Sequence, residues 1–188
     1  MKKIVFTTII FSNFIFSQNI DFEGFMDFSY SSNLGKIHLE VNNLDKEFLY
    51  INSLSRGIGN NDLGLDRGQL GNTRIVFFTK RGNKILLIQP NTKYVSNSDN
   101  YLENRAVEEA FARSVLFSFE IIEEKNNNYV IDLTPLLIND AHGVAQRLRF
   151  SNSGNYSLNK SMSAIELDRT KAFPENIEFD VILTFTGN

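Results

Sequence analysis

Cysteine is absent from this 188-residue chain, which excludes disulfides, thiolate-bound zinc, iron–sulfur clusters, thiol nucleophiles and a lipid-bearing cysteine behind a leader. Tryptophan is also absent, and there are only two histidines and three prolines. No sign of charge dominates. The formal net charge is −3, so the chain lacks the general electrostatic footprint of a nucleic-acid or anionic-lipid binder. Beyond the first residues, no apolar run approaches the length of a membrane-spanning helix.

What the chain has is apolar material. Hydrophobic residues make up 42% of it and phenylalanine occurs 17 times, enough to bury the core of one domain of ordinary size. A phenylalanine-rich interior suits packed sheets, whose pleated faces accept aromatic rings. The N-terminus reads Met1-Lys2-Lys3, then an almost uninterrupted apolar run from Ile4 to Phe16. This is the pattern of a secretory signal peptide, with Ser17-Gln18 as the cleavage point. The expected organisation is a signal peptide over 1–17 and a single β-rich domain over 18–188, exported to the periplasm, outer envelope or extracellular space. Cleavage takes Lys2 and Lys3 from the 19 basic residues and none of the 22 acidic ones, which moves the net charge from −3 to −5.

Along the remaining chain, Ile37, Leu39 and Val41 alternate with polar residues as in a half-buried strand. Asn42-Asn43 then predicts a hairpin to a second strand over Phe48 to Leu54. A loop rich in Gly and Asn follows, from Ser55 to Asn72. Arg74 to Lys80 and Lys84 to Gln89 read as two strands joined by Arg81-Gly82-Asn83, with runs apolar enough to be buried on both faces. Val107, Ala110, Phe111, Ser114 and Val115 form one apolar stripe at helical spacing, which predicts a helix from Leu102 to Val115 with Glu109 and Arg113 paired on its outer side. Leu116 to Glu123 and Tyr129 to Leu133 read as another strand pair, and Pro135 opens a short helical or irregular stretch through Leu148. In the last segment Ile177, Phe179, Val181, Leu183 and Phe185 face one way, as in a strand with one side in the core. The expected fold is α+β: a mainly antiparallel curved sheet or incomplete barrel, covered by one or two helices.

Motifs for chemistry are few. Neither His38 nor His142 begins the His-Glu-x-x-His pattern that sets two imidazoles on one helical face. No serine lies in Gly-x-Ser-x-Gly, and Gly57-Ile58-Gly59 has neither the Rossmann spacing nor a following Gly-Lys-Ser/Thr. The loop glycines are expected to supply positive backbone angles. Asp140 is expected to cap a helix start near Ala141, with His142 bonded locally. Asp66 and Arg67, flanked by glycine in a long loop, can form a binding surface, an ion pair, or caps for loop carbonyls.

Several blocks nevertheless form a recognisable series. These are Phe48-Leu49-Tyr50, the stretch from Gly57 to Gly71 that contains Asp66-Arg67-Gly68-Gln69-Leu70-Gly71, Gln89-Pro90-Asn91, Arg105 to Ala112, Asp140-Ala141-His142-Gly143-Val144-Ala145-Gln146-Arg147-Leu148, Ser163-Ala164-Ile165 and Arg169 to Pro174. In this order they resemble the N-terminal domain of unknown function (DUF5117-type) of large bacterial secreted zinc-dependent metalloproteases. The resemblance implies a non-catalytic accessory domain whose partner is the metalloprotease catalytic domain. That catalytic domain, with its zinc site, lies further along in such proteins, and this chain stops before it would begin. The resemblance therefore implies a fragment, a truncated product or a split reading frame. It transfers no catalytic or metal residue, and no cofactor is expected in this chain. Asp66, Arg67, Gln69, Asp140, His142 and Arg147 are the candidates for binding or interdomain contact. The alternatives are a stand-alone extracellular module for peptide or glycan, built on the glycine-rich loop, and, last, a small enzyme.

Overall fold

The computed structural model describes residues 19–188; the leader expected over 1–17 lies outside them. The chain forms β1 (Asn19–Phe22), β2 (Phe28–Ser31), β3 (Lys36–Val41), β4 (Phe48–Tyr50), β5 (Arg74–Arg81), β6 (Lys84–Gln89), α1 (Tyr101–Ala110), β7 (Ser114–Lys125), β8 (Asn128–Asp132), α2 (Thr134–Leu137), α3 (Val144–Phe150), β9 (Tyr156–Leu158), β10 (Ala164–Ala172), β11 (Ile177–Ile182) and β12 (Phe185–Gly187). The first eight strands make one antiparallel sheet in the order β1-β2-β3-β8-β7-β6-β5-β4. The β10–β11 hairpin and a two-stranded ladder of β9 with β12 complete the strands described.

The sheet is strongly curled into a half-barrel, and its connections explain why. After β3 the chain must reach β4 at the far edge, five strand positions away. A flat sheet would put that edge about 24 Å off, roughly the full reach of the seven Cα steps from Val41 to Phe48. The link is not fully extended, since Asp45 has φ 58 and its N–H donates to the Phe78 carbonyl at 2.7 Å. Curling brings the edges within reach. Strand β7 supplies the bend: its first half pairs with β6 and its second with β8, with register shifts at Leu87/Ile88 and Ile121/Glu123. Such bulges increase local twist and bend a strand.

The concave face carries the core. Phe28, Ile37, Leu39, Val41, Val76, Phe78, Ile85, Leu87, Phe119, Tyr129 and Ile131 are all buried there. The β10–β11 hairpin fills the hollow with Ile165, Ile177, Phe179 and Val181. Phenylalanines make the joins. Phe28 lies 4.5 Å from Phe22 and 4.8 Å from Phe179, and Phe78 lies 5.3 Å from Phe48 and 6.2 Å from Phe119, centroid to centroid.

At the barrel mouth the turn after β1 is pressed onto the β10–β11 turn. Phe25 N–H donates to the Phe173 carbonyl at 2.8 Å, and a Cβ on Gly24 would lie 2.6 Å from that same oxygen. Because the obstacle is backbone, Gly24→Ala is expected to cost about 1–3 kcal/mol, the usual range for overpacking. Urea denaturation checks this; a variant as stable as the parent would show that the two turns part freely.

Several sequence expectations hold. The β5–β6 and β7–β8 hairpins form as read, and Pro135 opens α2. Others need correction. The hairpin expected across Asn42-Asn43 does not form: β3 pairs with β2 and β8, and β4 with β5. The two strands share an inward face, but long-range pairing chose their neighbours. The helix expected over Leu102 to Val115 ends at Ala110 and has no fully buried residue, so little in the structure supports it as a cover for the sheet. Val115 belongs to β7, and Glu109 pairs with Arg105 at 2.7 Å rather than with Arg113. The curved antiparallel sheet is as expected, and the chain is mostly β with a few short helices. The final strand breaks after Ile182: Leu183 still packs on the main core, whereas Phe185, in β12, joins a second cluster. Strands β1, β2, β9 and β10 had no counterpart in the sequence reading.

Candidate functional site

The glycine-rich loop between β4 and β5 is a built structure. Its two arms run antiparallel: Leu54 N–H donates to Gln69, Gly68 N–H to Leu54 and Gly71 N–H to Asn52, and Ser53 bridges Leu70. Asp66 to Gln69 forms the returning turn, with Gln69 N–H on the Asp66 carbonyl at 3.0 Å. Gly68, at φ +82, takes the position of that turn that side chains disfavour. Gly57 serves differently from the sequence expectation. It has no positive φ, but a Cβ there would sit 3.0–3.3 Å from backbone atoms of Leu65, Asp66 and Arg67.

Helix α3 holds this loop from behind. Leu63 and Leu65 from the loop bury against Val144, with Leu54, Leu148 and Phe185 around them. Asp140 does serve a helix start, but at Val144 rather than near Ala141: its carboxylate accepts from Val144 N–H at 2.7 Å and Ala145 N–H at 3.0 Å, which suits the positive end of a helix. Arg147 is a clasp. Its guanidinium donates to the carbonyls of His142, Leu63 and Gly64 at 3.1–3.2 Å. On another side, Ser55 Oγ donates to Asp180 Oδ1 at 3.1 Å, and Asp180 pairs with Arg169 at 2.7 Å.

His142 sits at the joint. Its Nε2 is enclosed without a hydrogen-bond partner. Burial pushes its pKa below the ordinary 6.5, and the Arg147 charge adds to this, against a Ser53 backbone hydrogen bond and the Asp140 carboxylate. A depressed histidine pKa means the fold prefers the neutral ring. Its contribution to stability is therefore complete above about pH 6.5 and is lost as pH falls through the lower folded-state pKa. His142→Gln is expected to flatten the loss of stability between about pH 7 and 5. Denaturation midpoints across that range test it, and parallel curves for parent and variant would rule it out.

The structure thus brings Asp140, His142 and Arg147 together behind the loop, and sets Asp66, Arg67 and Gln69 at its exposed turn. Asp66 and Arg67 form no ion pair with one another. The Gln69 amide reaches only the adjacent Leu70 carbonyl, at 3.4 Å. Among the described residues, no group of three or more His, Asp or Glu is placed to hold a metal ion.

In front of the loop lies a feature that the sequence reading missed. Phe48 and Tyr50 point into the core, so Leu49 points outward. Opposed residues of an antiparallel pair share a face, as do residues two apart along a strand. Leu49 is opposite Ile75, Ser53 is opposite Leu70, and Ile51 lies between Leu49 and Ser53. Leu49 and Ile75 therefore share the outer face, and Ile51 and Leu70, on the loop arms that continue the two strands, are exposed as well; the four have 65%, 39%, 47% and 59% of their surface exposed. Beside them β4 is the sheet's edge. The alternation of Leu49 with Phe48 and Tyr50 was the available signal, but every one of these positions is apolar, so the outward side did not stand out.

Residues 68–188 match the family described as Domain of unknown function (DUF5117). The chain belongs to this family. The match takes in Gln69, Leu70, Ile75, Asp140, His142 and Arg147, and the strands from β5 onward; Asp66 and Arg67 lie just ahead of it. No curated protein and no solved structure matches the chain. Within this DUF5117 domain, the polar cluster fastens the loop, and the loop and edge strand present an aliphatic face.

Proposed function

We propose that this DUF5117 domain is the non-catalytic accessory domain of an exported zinc-dependent metalloprotease, docked on the catalytic domain through the outer face of β4 and the glycine-rich loop. The observation that carries the reading is the exposed aliphatic group of Leu49, Ile51, Leu70 and Ile75. Isolated exposed leucines are common, but a contiguous aliphatic group beside an open sheet edge marks an interaction surface. The cluster behind it supports a structural role. Both Asp140 oxygens are already engaged in capping α3, and the Arg147 guanidinium in holding the loop. Met1-Lys2-Lys3 and the apolar run to Phe16 support export, and the ordered sequence blocks support the protease association. The test is a titration of this domain with the corresponding zinc-protease domain by calorimetry. Saturable binding is expected; its absence at high micromolar concentration would remove the reading.

A second reading, a stand-alone module for extracellular peptide or glycan, draws on the exposed Asp66-Arg67 turn, which is held on a rigid base. It requires a ligand whose binding falls on Asp66→Ala or Arg67→Ala.

A further inference from the structure

On a different side of the half-barrel, a cleft of about 330 Å³ opens between the β2–β3 turn, the start of α2 and the helical turn at Lys160–Met162. This volume lies at the small end of the range for ligand sites. Leu34, Pro135, Ile138 and Ile165 line it with apolar surface, and Lys36, Asp132, Thr134 and Lys160 supply the polar groups.

The charges in this cleft do not balance: Lys36 and Lys160 stand against Asp132 alone. Each Asp132 oxygen is engaged: Oδ2 accepts from Lys36 Nζ at 2.7 Å and Oδ1 from Thr134 N–H at 3.0 Å. Burial works against its charge, but the bonds from Lys36 and Thr134 outweigh it and hold the carboxyl below its ordinary range. The Thr134 hydroxyl already accepts from Ile37 N–H at 2.9 Å. An ammonium has three donors, and Lys36 uses one of them on Asp132. Lys160 Nζ has no partner among the described residues. Two lysines and one carboxylate, already paired with Lys36, thus line the cleft, in a chain whose net charge is negative. The surplus of cationic donors above an apolar floor suits an anion with an apolar body.

We infer that this cleft receives the free C-terminal carboxylate of an apolar peptide, with Lys160 and the spare Lys36 donors on the carboxylate and the last side chains on Ile138 and Ile165. Capture of a chain end by converging donors is a recurrent mode of peptide recognition, and charge-assisted bonds of this kind are the strong ones. The inference stands apart from the docking face and does not depend on it.

The test is a nuclear magnetic resonance titration of the whole chain with N-acetyl-leucyl-leucine as the free acid, the same compound as its C-terminal amide, and octanoate. The free acid is expected to give saturable shifts at Ile138 and Ile165. The amide, octanoate, and the free acid on Lys160→Ala are each expected to bind at least about tenfold more weakly, as loss of a charge-assisted bond requires. Lys160 is exposed, so an unchanged unfolding midpoint should accompany that variant. Equal binding of acid and amide, octanoate binding as well as the dipeptide, an unaffected Lys160→Ala, or no shift at millimolar ligand would each overturn the assignment.

Discussion

Phe28→Ala is expected to destabilise the domain by about 3–5 kcal/mol, the range for removing a fully buried phenylalanine. Phe28 is 2% exposed, and its ring joins three parts of the structure. It stacks on Phe22 of β1, sits opposite Leu39 of β3, and meets Phe179 of the β10–β11 hairpin at 4.8 Å. The rings on either side are anchored by strand pairing and cannot close the void, which places the cost toward the upper end. A small domain has only about 5–15 kcal/mol in hand, so the variant is expected to be near half-unfolded at modest urea concentrations. The comparison that isolates the role is Phe28→Leu, which keeps most of the volume and should recover much of the loss. An alanine variant within about 1 kcal/mol of the parent, far below the cavity range, would mean that the hairpin does not plug the half-barrel through this ring.

The second large effect concerns binding rather than folding. Leu49→Lys and Leu70→Lys are each expected to weaken association with the protease domain by roughly 30-fold or more, corresponding to about 2 kcal/mol for a contact at the centre of an interface. Both side chains are more than half exposed, so each change should move folding stability by less than about 0.5 kcal/mol. Lysine is also a residue that natural edge strands use against unwanted pairing, so it opposes docking by charge as well as by lost apolar area. Calorimetric titration of the variants, with unfolding curves as a control, separates the two roles. Unchanged affinity in both variants, with binding intact in the parent, would move the docking surface elsewhere. The Asp66-Arg67 turn would be the next place to substitute.

The polar residues singled out from sequence turn out to be of two kinds. Asp140 was readable as a helix cap because capping is local: an acidic side chain reaches N–H groups four and five positions on. Arg147 carried no such local signal. Two of its three acceptors lie 83 and 84 residues away, and only folding shows that it clasps the loop. The helix around Val107 was misjudged in its extent and burial for a related reason. A stripe at helical spacing says which face a helix would bury, not whether anything is present to bury it. Here Tyr94 stacks on Phe111 at 4.2 Å, and the apolar residues beyond Ala110 pass into strand β7.

The sequence by itself determined the β character, the phenylalanine interior, the hairpins over Arg74 to Gln89 and Leu116 to Leu133, the cap at Asp140 and membership in a recognisable domain family. These rest on short-range information: alternation of period two, turn residues such as Asn127 with φ 64, and ordered blocks of residues. Only the tertiary structure decided that β3 lies against β8 and not β4, that the sheet curls around the β10–β11 hairpin, that Leu49 and Ile75 share the outer face, and that Lys36, Asp132 and Lys160 line one cleft. Each of these joins segments far apart in the chain. The free energy that selects them is burial and pairing summed over the whole sheet, and no local stretch of sequence contains that sum.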